Sequence, residues 1–69
     1  MSPENLKLNV AAEVDRGAAA LEEANQLLRG GLHYGAASRA YYAAFHFARA
    51  LCLAVGEEPR SHAGVAHLL

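Results

Sequence analysis

The sequence predicts an all-α protein on three observations. Two long segments repeat apolar residues at helical spacing, residues that start and stop helices bracket each segment, and the second is built almost wholly from alanine and large apolar side chains. Residues 1–69 read as a single, partial helical domain. A chain this short buries only about 60% of its unfolded surface, so it has little core to divide.

The first helix is expected from about Pro3 to Arg29. Ser2 offers a side-chain oxygen to the orphan N–H groups of the first turn, Pro3 suits the first helical position, and Glu4 places negative charge where the helix dipole favours it. Leu6, Val10, Val14, Leu21, Ala24 and Leu28 then recur at spacings of three, four or seven, with Lys7, Asp15, Glu22 and Gln26 opposite. Gly30-Gly31 supplies the stop, because glycine readily takes the left-handed conformation that closes a helix. Gly17 interrupts the stripe at a cost of about 1 kcal/mol against Ala. Either a neighbouring helix approaches closely there, or the glycine is a tolerated surface residue.

The second helix is expected from about Tyr34 to Val55, with Gly56 as its stop. At about 100° per residue, Gly35, Ser38, Arg39, Tyr42, His46 and Arg49 fall in one polar stripe. The rest is apolar: Tyr41, Phe45, Phe47, Leu51 and Val55 stand as knobs among alanines. Tyr41 is expected in the core and Tyr42 at the polar seam, about 100° away. A helix apolar over so much of its circumference needs cover on several sides, and one partner helix supplies only part of it. The remainder falls to other chains or further helices, so a homo-oligomer, a dimer or higher, is expected.

Gly56-Glu57-Glu58-Pro59-Arg60 reads as a polar connection, since Pro59 disfavours helix at the residue before it. Ser61 then caps the start of a third helix over about 62–69, carrying Val65, Leu68 and Leu69. Ending on an apolar pair, without cap or polar terminus, predicts a truncated or degenerate copy of a longer domain.

Composition excludes several classes of function. Six Lys and Arg against seven Asp and Glu give a net charge of −1, so there is no general basic field to draw nucleic acid, and any such contact must come from a local patch. The amino terminus lacks the basic start and apolar run of a secretory signal, and His46 and Arg49 interrupt the longest apolar stretch, which predicts neither export nor membrane spanning. The lone Cys52, flanked by Leu51, Leu53 and Ala54, reads as a buried thiol in a reducing, cytoplasmic setting. His62 and His67 stand five apart, off a common helix face, with no Cys, Asp or Glu at ligand spacing nearby. No metal site is expected. Gly30-Gly31 and Gly35 lack the preceding strand and the lysine of a phosphate-cradling loop, and no cofactor is expected either.

Two stretches carry a family resemblance. Ser38-Arg39-Ala40-Tyr41-Tyr42-Ala43-Ala44-Phe45-His46, continuing through Ala48-Arg49-Ala50-Leu51, resembles the second helix of HEPN domains from small prokaryotic proteins. Gly56 through Pro59, Arg60-Ser61-His62 and Gly64-Val65 resemble the loop and third-helix start of the same group. The resemblance spans roughly residues 30–69 and implies an antiparallel up-and-down helical bundle that dimerises. It also implies a toxin–antitoxin setting beside a nucleotidyltransferase partner, with metal-independent endoribonuclease activity in many members and nucleotide or protein binding in others. The family's signature is an Arg followed, after four to six residues, by a polar residue and commonly His on a late helix, and this chain ends before such a helix forms. Whether it is an enzyme therefore stays open.

One pair here meets the same spacing. Arg39 and His46, with six residues between them, share a helix face roughly 10 Å apart along the axis. His46 would move a proton and Arg39 would stabilise a charged phosphorane. Tyr42 would orient either group or stack on a base, and Arg49 would extend the binding strip. Arg60 and His62 form a second candidate binding cluster at the start of the third helix, where backbone N–H groups favour anions. The sober alternatives are an Arg39 that pairs with a carboxylate such as Glu13 or Glu23, a hydrogen-bonded interfacial His46, and solvated capping residues at Arg60 and His62. The leading reading is a module that binds RNA or nucleotide and cleaves RNA in its complete form. The alternative is a non-catalytic interaction module that oligomerises or docks a nucleotidyltransferase.

Overall fold

Ser2 opens the first helix as expected. Its Oγ accepts a hydrogen bond from the Asn5 N–H at 3.1 Å, and α1 runs over Pro3–Arg29 with Pro3 in its first turn. This computed structural model describes residues 1–56 and Gly64. Apart from Gly64, the expected third helix, with Arg60, His62 and His67, lies outside the described residues.

α1 ends in paired backbone bonds that close its last turn. Leu32 N–H donates to Leu27 C=O at 2.9 Å and Gly31 N–H to Leu28 C=O at 3.0 Å. That pattern requires the residue after the cap to be left-handed, and Gly31 has φ +76° while Gly30 keeps an ordinary φ of −83°. The chain reverses within three residues, and α2 runs over His33–Ala54. Gly56, at φ +91°, follows its end.

The two helices pack antiparallel along their length: Leu27 lies against Gly35, Gly17 against Phe47, and Glu13 against Arg49, so partners fall in number along α2 as they rise along α1. The seam is built from small side chains. Gly17, Ala20 and Ala24 of α1 are buried, as are Ala36, Ala43 and Ala50 of α2, with Leu53 and Cys52 closing the far end. Small residues at three- and four-residue spacing let two backbones approach, and the Phe47 ring fills the space above Gly17. Of the two explanations for Gly17, close approach is the one observed.

The seam runs along one edge of the stripe expected from hydropathy, sharing Gly17 and Ala24 with it. Val14, Leu21 and Leu28 stand beside it on α1, 43%, 44% and 56% exposed, and Tyr41, expected in the core, is 52% exposed on α2. Hydropathy marks which side of a helix is apolar; helix approach is governed by side-chain size, which selects the glycine and alanine line instead. Cys52 is buried, as its apolar flanks predict. No helix among the described residues is long and apolar enough to cross a membrane.

Candidate functional site

One acidic side chain interrupts the small-residue seam. Glu13 lies on the same line of α1 as Gly17, Ala20 and Ala24 and is only 6% exposed. Its two oxygens serve different partners. Oε2 meets His46 Nδ1 across the helix interface at 2.7 Å. Oε1 accepts from Arg16 Nη1–H at 2.6 Å, one turn along α1, and faces Arg49 Nε at 3.5 Å. Two residues of the α2 polar stripe are thereby tied to a carboxylate on α1.

Burial pushes the Glu13 carboxyl up, but the hydrogen bond and charge of His46, followed by those of Arg16, outweigh it and leave the group below its ordinary 4.5. Glu13 is therefore an anion at neutral pH. A carboxylate can only accept, so the hydrogen between it and the imidazole belongs to His46 Nδ1, and Nε2 lies on the opposite side of the ring. The His46 side chain keeps 23% of its surface, and the Phe45 ring meets its ring edge-on at 5.3 Å.

Arg39 and Tyr42 sit one to two turns nearer the start of α2. The Arg39 guanidinium carbon lies 4.6 Å from the centre of the Tyr42 ring, within cation–π range. Tyr41 meets Tyr42 edge-on at 5.7 Å. Glu13, one of the carboxylates weighed as an Arg39 partner, is engaged by His46, Arg16 and Arg49, and no carboxylate among the described residues pairs with Arg39.

The four stripe residues thus form two linked groups on α2: Arg39 with Tyr42, and His46 with Arg49 on Glu13. Glu13 and Arg16 were not among the candidate residues. The signal for Glu13 was its position at four- and three-residue steps from Gly17, Ala20 and Ala24, and Arg16 lies one turn away from it. Among the described residues no group of three His, Cys, Asp or Glu is placed to hold a metal ion, and no buried side-chain nitrogen or oxygen lacks a partner.

An antiparallel α-helical hairpin of this kind agrees with the family to which the sequence is similar. The HEPN domain family model matches residues 11–69, and the chain belongs to that family. It is also 42% identical over 62 residues to the UPF0332 protein PH1297 of Pyrococcus horikoshii. That match covers 84% of this chain and 44% of the Pyrococcus protein, so the chain spans less than half the length of this relative. No solved structure matches.

Proposed function

We propose that this chain is part of a HEPN module that binds RNA or a nucleotide along the α2 strip of Arg39, Tyr42, His46 and Arg49. The observation that carries the reading is the Arg39–Tyr42 stack, 4.6 Å from guanidinium carbon to ring centre. A guanidinium held by a ring instead of a carboxylate keeps its forked donors for a phosphate, which they match bidentately. His46 follows two turns on, with its ring oriented by Glu13. In the complete module this pair cleaves RNA without a metal: His46 moves the proton and Arg39 stabilises the charged phosphorus centre.

The test is fluorescence anisotropy with a labelled single-stranded RNA across a series of salt concentrations. Phosphate contacts make log affinity fall linearly with log salt, by roughly 0.7 per phosphate neutralised on a single strand. Arg39→Ala is expected to weaken binding and flatten that slope by about one contact. A salt-independent affinity in the parent protein defeats the reading. Cleavage is assayed with a chelator present, where Arg39→Ala and His46→Ala each abolish cutting while the oligomer persists.

A second reading rests on different residues. Val14, Leu21, Leu28, Tyr41, Leu51 and Val55 carry between 43% and 69% of their surface to solvent, far more than an isolated soluble hairpin needs to show. They suit an interaction module that oligomerises or docks a nucleotidyltransferase. That reading expects no cleavage by the parent and loss of assembly when these apolar side chains are replaced by polar ones.

A further inference from the structure

Glu13 occupies a position that packing alone does not explain. The seam around it is glycine and alanine, and a buried carboxylate there carries a desolvation cost that another alanine would avoid. Its oxygens, moreover, divide their partners: one takes the imidazole of α2, and the other takes Arg16 and faces Arg49. The contact through Nδ1 leaves Nε2 as the ring nitrogen not engaged by Glu13. With Nδ1–H donating to Oε2, the neutral ring carries its lone pair on Nε2, across the ring from the seam.

We propose that Glu13 is the positioning residue of the α2 strip: it holds His46 in the Nδ1–H form so that Nε2 accepts a hydrogen bond from the 2′-hydroxyl of bound RNA. Arg16, held on the other oxygen with 58% of its side chain exposed, adds a cation from α1 to the same strip. The inference rests on the RNA-binding reading above and adds to it the group that separates RNA from DNA, since the 2′-hydroxyl is what distinguishes the two. A neutral Nε2–H ring would instead donate to the hydroxyl oxygen, so the contact made through Nε2 would reverse its direction.

Two measurements test this on the full chain. Long-range ¹H–¹⁵N correlation of the His46 ring, at a pH high enough for the neutral imidazole, reads the tautomer directly. Anisotropy with RNA and DNA strands of one sequence reads the preference. The parent is expected to show Nδ1–H and to favour RNA on the order of tenfold, the range of a single hydrogen bond. Glu13→Gln keeps the packing, but its amide donates as readily as it accepts, so the ring becomes a mixture, the contact made by the Nε2 lone pair is populated less and the RNA preference falls. DNA affinity stays level or rises, because a negative charge has gone; a merely structural carboxylate would instead lower RNA and DNA affinity together. Glu13→Ala, with no acceptor in reach, repeats the test should the glutamine hold the ring through its own carbonyl.

Circular dichroism checks that each variant keeps its helices. If neither does, the parent's ring spectrum still decides, for Nε2–H there overturns the proposal. So does an RNA preference untouched by the substitutions, or an equal loss for both nucleic acids. A parent that shows Nδ1–H yet binds no RNA refutes the RNA-binding reading and the ligand assigned to Nε2, while leaving the hold of Glu13 on the ring established.

Discussion

Two side-chain contacts decide most at the scale of single residues. A Cβ added at Gly17 would lie 2.6 to 2.9 Å from three carbons of the Phe47 ring, closer than packed atoms tolerate. Overpacking costs about 1–3 kcal/mol, and the gain in helix propensity from Gly to Ala returns about 1. Gly17→Ala is therefore expected to lower stability by up to about 2 kcal/mol in urea denaturation. In Phe47→Ala, where the ring is gone, the same substitution should be neutral or stabilising, and simple additivity of the two changes would show that the contact carries no energy. Glu13 contributes to the acid side of the stability profile. Its folded pKa lies below the ordinary 4.5, so the stability it contributes is fully present above that value and is lost as pH falls through the folded pKa. Urea midpoints measured downward from pH 6 should decline below about 4.5 in the parent and decline less in Glu13→Gln. At neutral pH that variant is expected to be less stable by roughly 1–3 kcal/mol, the cost of leaving partners of a charged hydrogen bond unmatched.

The elements themselves were legible because their ends are written in local chemistry. Ser2-Pro3, Gly30-Gly31 and Gly56 each act through the backbone of their own turn, and the helix bounds fall within one residue of those expected. The seam was not legible in the same way. Val14, Leu21 and Leu28 advertise an apolar side more strongly than Gly17, Ala20 and Ala24 do, yet the small residues admit the second helix. Glu13 was legible only as a carboxylate for Arg39; that His46 and Arg49 face it instead depends on how the two helices pack. Arg39 and Tyr42 were identified by family resemblance and by spacing; their stacking depends on side-chain rotamers that sequence periodicity does not encode. The loop glycines give a sharp contrast. Gly31 has φ +76° and Gly30 φ −83°, so Gly31→Ala should cost about 1–2 kcal/mol while Gly30→Ala is neutral or gains up to about 1. Thermal melts of the two variants that shift equally would disprove the assignment of the left-handed turn to Gly31.

At the scale of the whole molecule, thickness is the governing quantity. The protein measures 43 × 24 × 13 Å, and 13 Å is about one helix with its side chains. A single layer cannot hide both broad faces. The groove between the helices near the turn is lined mainly by leucine and alanine, Leu21, Ala24, Leu28 and Ala36 among them, with Asn25 and His33 at it, and the opposite end by Leu6, Val10, Ala11 and Ala54 with Lys7. We expect the protein to associate in solution through these apolar surfaces. Sedimentation equilibrium at micromolar concentration is expected to give a mass above one chain, with Leu21→Glu shifting it toward the monomer; a compact single copy of the parent would refute the expectation.

The three-residue reversal between α1 and α2 also sets the order of events in time. Contacts beside the turn join residues near in sequence, so the hairpin closes outward from Leu27 and Gly35 like a zip, on the microsecond-to-millisecond scale of small helical proteins. Refolding followed by a helix signal should therefore be indifferent to dilution.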